Sequence, residues 1–230
     1  MTATQQATLT PPFRPEAPQE HIDSAIDSLM ASLPDPAKLS AEERRGLIAR
    51  YTAVLEGNFI YWMTATHLAV RSPQAKEKIE ENLLEEVKDN HPGMLRKFAV
   101  AAQAEPTELD RRVVDRDLQN VREFVGKLSP LKILLMMAFF EGFIQKFMAY
   151  LADLAARSGS SEMVYTDVHG VCDIAHTQGL FHSYAGELGL AKNSPTSSVP
   201  PKDAAAAKDD GKSDARFAIV PPALWPAMKR

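Results

Sequence analysis

Cysteine is almost absent from this chain: Cys172 is the single one in 230 residues. No internal disulfide can form, and such a chain suits a reducing cytoplasm. Basic excess is missing as well, with 26 Lys and Arg against 30 Asp and Glu and a formal net charge of −4. That balance gives no footing to a nucleic-acid partner, which needs a clustered basic face. Long apolar runs are lacking: the longest, residues 133–140, covers eight positions, against the roughly 20 that span a bilayer. The polar N-terminus has no basic segment followed by an apolar one, so a secretory signal is not expected. The two-residue alternation of a half-buried strand never persists, and no internal repeat is found. The expectation is a soluble cytoplasmic protein with neither a membrane nor a nucleic-acid partner.

What remains is helix signal. A hydrophobic share of 45% over this length suits one sizeable domain, and the pattern predicts an all-α fold of about seven helices. Residues 1–18, rich in Thr, Gln and Pro, are expected to be disordered. Residues 192–230 are expected to form a low-complexity tail, whose apolar end at 217–225 could dock on the body or on a partner. Between them, a first helix is predicted over 22–33 and ends at Pro34. Ser40 and Glu43 form a capping box for a long helix reaching Val70. Ser72-Pro73 opens a helix to Lys88, interrupted over 89–93, and a shorter segment follows at 94–104. Thr107 caps a helix to Lys127. Ser129-Pro130 opens the most apolar helix, to Arg157, and Thr166 is expected to cap the last, to Leu188.

On that last helix His169, Asp173 and His176 are spaced by four and three. At roughly 100° per residue these side chains share one narrow face, where imidazole and carboxylate can converge on a cation. The donor types suit iron, manganese or zinc; a polar stripe on an exposed face is the bland alternative. Glu141 interrupts the most apolar helix, where an ionised carboxylate costs several kcal/mol without compensation. A metal, a cationic side chain or a retained proton could each supply that compensation. A third element carries Asn82, Glu85, Glu86 and His91, which read alone resemble a solvated charged face followed by a loop. Together Glu86, His91, Glu141, His169, Asp173 and His176 make the six ligands that two bridged ions require. The assignment expected from spacing puts one ion on His169, Asp173 and His176 and the other on Glu86 and His91, with Glu141 terminal or bridging. No histidine follows a glutamate by three residues, so the repeated Glu-x-x-His of ferritin-like bundles is absent.

These motifs resemble the haem-oxygenase-like diiron oxidases and oxygenases. The pattern there is an Asn-Leu-x-x-Glu…His segment, an isolated glutamate on a central helix, and His-x3-Asp-x2-His on a late helix. The resemblance covers roughly residues 22–190. It implies a haem-oxygenase-like helical bundle and two ferrous ions, with manganese–iron as a variant and dioxygen as co-substrate. It also puts Glu86, Glu141, His169, Asp173 and His176 on ligand positions. The interval to His91 is shorter than in family members, which leaves Glu85 as a rival to Glu86. The self-consuming subgroup places a lysine where this chain has Leu151, so membership of that subgroup is not implied.

The implied activity is oxidation of a small amino acid, amine or fatty-acid-like molecule. Glu56 and Tyr61, on the long second helix, are the candidate substrate-binding residues, and Glu56 could also serve as an additional ligand. Cys172 is expected to point away from the ligand face. A homodimer is expected, and an external electron donor is admitted. The competing readings are a metal-free thiaminase-like or cofactor-biosynthesis enzyme of the same fold, and a helical interaction protein.

Overall fold

The computed structural model describes residues 17–193; the expectations for the two termini fall outside them, except that residues 17–18 and 192–193 are already helical. Among the described residues there are eight α-helices, a single 3-10 turn at Pro36–Lys38, and no strand. The helices are α1 (Ala17–Ala31), α2 (Ala41–Leu55), α3 (Asn58–Ala69), α4 (Pro73–Lys88), α5 (His91–Ala101), α6 (Glu108–Val125), α7 (Pro130–Arg157) and α8 (Val164–Asn193). The all-α expectation holds.

Most helix starts follow from local capping chemistry. Ser40 and Glu43 exchange side-chain and backbone bonds at the head of α2, and Thr107 and Asp110 do the same for α6. Ser72 accepts from the Ala75 amide ahead of Pro73. Two expectations change. The helix predicted from Ser40 to Val70 is broken at Gly57, whose φ of +79° belongs to the left-handed region. The Val54 carbonyl then accepts instead from the Asn58 carboxamide. The last helix starts two residues before Thr166, with the Glu162 carboxylate accepting from the Val164 amide. Thr166 donates its hydroxyl to the Met163 carbonyl instead of capping.

α7 is the axis of the bundle, packed most extensively against α8 and also against α1, α2 and α3. It is long and apolar enough to cross a membrane, yet 67% of its apolar window is buried inside the bundle. Ile133 to Phe140 form an unbroken buried run. Phe140, Phe143 and Phe147 join the core with Trp62 and Tyr51. This packing leaves Glu141, on the same helix, with no route to water.

Candidate metal centre

Glu86 is carried inward by the apolar face of α4, which buries Ala75, Ile79, Asn82 and Glu86 at helical spacing. Five residues on, His91 would point about 140° away from Glu86 in an unbroken helix. The chain avoids this by placing Asn90 at φ 55°, ψ 47°, a left-handed conformation that asparagine tolerates. α5 then starts at His91 itself, and His91 Nδ1 lies 2.9 Å from Glu86 Oε1. One left-handed residue thus does the work of a longer loop.

α8 supplies the facing side chains. His169 Nδ1–H donates to the Tyr165 carbonyl at 2.9 Å, leaving Nε2 free, 3.9 Å from Glu86 Oε1. Burial pushes the His169 imidazole down to about 4, against the pull of Glu86, so the ring is a neutral donor at ordinary pH. Glu86, His91 and His169 form one group of convergent ligand atoms. Two turns along α8, His176 Nδ1 lies 3.6 Å from Glu141 Oε2 and 3.7 Å from Asp173 Oδ1. Its Nε2 is held by Glu85 at 2.9 Å.

This grouping revises the assignment expected from spacing. His169 and His176 share a face, but seven residues separate them by about 10 Å along the helix axis. Their ligand atoms converge with different partners. His169 belongs with Glu86 and His91, while Asp173 and His176 belong with Glu141. The two groups feel each other, the charge of Glu86 adding to the burial that raises Glu141 and Asp173.

The second group is a set of buried polar atoms awaiting a partner. Glu141 is 1% and Asp173 0% exposed. Glu141 Oε1, Asp173 Oδ2 and His176 Nδ1 have no hydrogen-bond partner. Desolvation, reinforced by the charge of Glu141, holds the Asp173 carboxyl well above its usual range. Burial likewise raises Glu141, with His176 partly opposing. At His176 burial opposes protonation, yet Glu141 and Glu85 prevail and push the imidazole up to about 9. His91 is raised by Glu86 against the same desolvation. Left to themselves these groups must retain protons; a divalent cation satisfies the same atoms without them. Imidazole nitrogen with carboxylate oxygen is a donor set for iron, manganese or zinc, so the residues fit a metal centre.

All six expected candidates are brought together, and of the rivals Glu85 and Glu86 it is Glu86 that is buried. Glu86 faces inward. The Glu85 side chain is 52% exposed and reaches the centre only through His176. The candidates from the second helix are not brought to the centre. Glu56 lies at the α2–α3 break, ion-paired with Arg96 and Arg111, and Tyr61 is 47% exposed. The break at Gly57 instead presents Leu55, Phe59 and Ile60 to a cavity of about 20 Å³ beside Glu86, His91 and His169. That is room for a molecule about the size of water. Lys146, five residues past Glu141, pairs with Asp27 at the surface, and Leu151 is buried without exposure.

Tyr165 was given no role from sequence. Its ring packs 4.2 Å from that of His169, and its hydroxyl is 2.9 Å from that of Tyr51. Burial keeps both phenols protonated. Asn82, one turn before Glu86, is fully buried with both side-chain polar atoms unpartnered. Its place at the start of the Asn82…Glu86 motif was the available signal.

No curated protein and no solved structure gives a significant match. A family model described as iron-containing redox enzyme matches residues 46–196, from α2 through the whole of α8. With this match over the segment that carries all six donors, the chain belongs to the haem-oxygenase-like family of iron-containing redox enzymes.

Proposed function

We propose that this protein is a non-haem dinuclear iron oxidase or oxygenase that uses dioxygen to oxidise a small organic substrate. The observation that carries the reading is the pairing of two buried donor groups, Glu86/His91/His169 and Glu141/Asp173/His176, at the centre of an apolar bundle. A single structural ion would need one such group. Two adjacent ferrous ions can together deliver two electrons to dioxygen, and a manganese–iron pair suits the same donors.

The chain's own contribution is positioning and exclusion of water. The Tyr165 carbonyl fixes the His169 tautomer, so that Nε2 would be the atom that holds a metal. Glu85 does the same for His176 from the opposite nitrogen, turning Nδ1 toward Glu141 and Asp173. Leu55, Phe59, Leu95 and Ile144 wall the small cavity beside Glu86 and His169. Such a lining favours an apolar reacting group. Among the substrate classes suggested by the resemblance, this supports a molecule that presents a C–H bond there while its polar end stays outside.

The test is to load metal-free protein with ferrous iron under anaerobic conditions, count the iron, and then admit oxygen. Two irons per chain and a transient visible absorption are expected. Less than one iron per chain with no absorption change sinks the reading. His169→Ala should abolish stable iron uptake by the first group; a metal-free enzyme or an interaction protein would be indifferent to that loss.

A further inference from the structure

Cys172 lies on the same side of α8 as the ligands. It follows His169 by three residues and precedes His176 by four, so on a helix it sits beside both instead of pointing away. Its thiol donates to Asp173 Oδ1 at 3.1 Å. The sulfur, an Asp173 oxygen and a His176 nitrogen form a second convergent group, with all three atoms within 4.8 Å of one another. A cysteine beside a carboxylate would mean little alone. Here Asp173 Oδ2 and His176 Nδ1, on residues 0% and 3% exposed, are both unpartnered at the same place.

We infer that Cys172 is a thiolate ligand of the ion held by Glu141, Asp173 and His176. The inference rests on the dinuclear reading and deepens it, because it makes the two subsites chemically unequal. The Glu86/His91/His169 subsite offers only nitrogen and oxygen, whereas its neighbour adds a soft sulfur donor that shifts metal preference. As the metal–sulfur bond forms, the S–H bond breaks and its proton passes to solvent. Asp173 Oδ1, relieved of its hydrogen bond from the thiol, becomes free to face the metal. Sulfur ligation would also shield the thiol from alkylation and oxidation.

Cobalt(II) provides the test, because thiolate–cobalt bonds give a near-ultraviolet charge-transfer band that nitrogen and oxygen ligands lack. Cys172 is the chain's only cysteine, so any such band belongs to it. Metal-free wild-type protein is titrated anaerobically while bound cobalt is counted. The band should grow to saturation, and Cys172→Ser should lose it while keeping the visible ligand-field absorption. Two bound cobalt ions without the band overturn the sulfur ligand and leave the dinuclear reading standing. Binding of one ion without the band also overturns the sulfur ligand. No cobalt bound at all overturns both.

Discussion

Glu85 and Glu86 differ by about 100° around α4, and that angle separates two kinds of work. Glu86 lies 2.9 Å from His91 Nδ1 on the buried face. Glu85, at the rim, touches only the outer nitrogen of His176. Glu86→Gln should therefore remove stable iron from the first subsite, and iron per chain should fall from two to one or fewer. Glu85→Gln leaves every ligand in place but loosens the orientation of His176. It should weaken the second subsite about 10- to 100-fold, read as a right-shifted metal titration with unchanged stoichiometry. If the two variants gave the same iron count, the distinction between ligand and orienting residue would be lost. The motif spacing leaves these neighbours as rivals, and it is the burial of Ala75, Ile79, Asn82 and Glu86 on one face that separates them. The role of Glu85 was not legible, because a partner 91 residues away on another helix defines it. The same limit explains Glu56: its isolation among apolar residues marked it as special, but Arg96 and Arg111, which occupy it, come from α5 and α6.

At the scale of helices, most caps were readable, and so was the break that follows Lys88, but Thr166 does not cap α8 and the break at Gly57 gave no local signal. Ser40, Ser72, Thr107 and the Ser129-Pro130 pair each mark a start through chemistry confined to four residues. Gly57 sits within a run whose apolar periodicity barely changes, so only its left-handed backbone reveals the division of α2 from α3. A Cβ at Gly57 would meet nothing within 4 Å. Gly57→Ala should therefore cost only the backbone strain, about 1–2 kcal/mol in denaturant unfolding, with iron content unchanged. Asn90→Val is a different experiment. It puts a β-branched side chain at φ 55°, a conformation such residues strongly disfavour, at the residue whose backbone turns His91 toward Glu86. Iron in the first subsite should fall together with stability. Retention of full iron by Asn90→Val would show that the α4–α5 turn does not set the His91 geometry.

The whole bundle buries titratable groups that a simple apolar core would never hold, and its stability should record that. In the metal-free protein His176 keeps its proton up to about 9, whereas an unfolded histidine releases it near 6.5. Between those values the folded state binds more protons than the unfolded one, so stability falls as pH rises. His91, Glu141 and Asp173, all raised, act with the same sign, the carboxyls from their ordinary range upward. His169, lowered to about 4, acts oppositely, but only between about 4 and 6.5. From pH 6.5 to 9 nothing in the centre opposes the decline, and the apoprotein melting temperature should drop steadily across that window. Bound metal displaces the same protons and binds more tightly as pH rises, so saturation with manganese(II) should flatten or reverse the slope. Thermal unfolding of the apo and manganese-loaded protein at matched pH measures both slopes. Two parallel curves would mean that the protons of these carboxylates and imidazoles are not what the metal replaces.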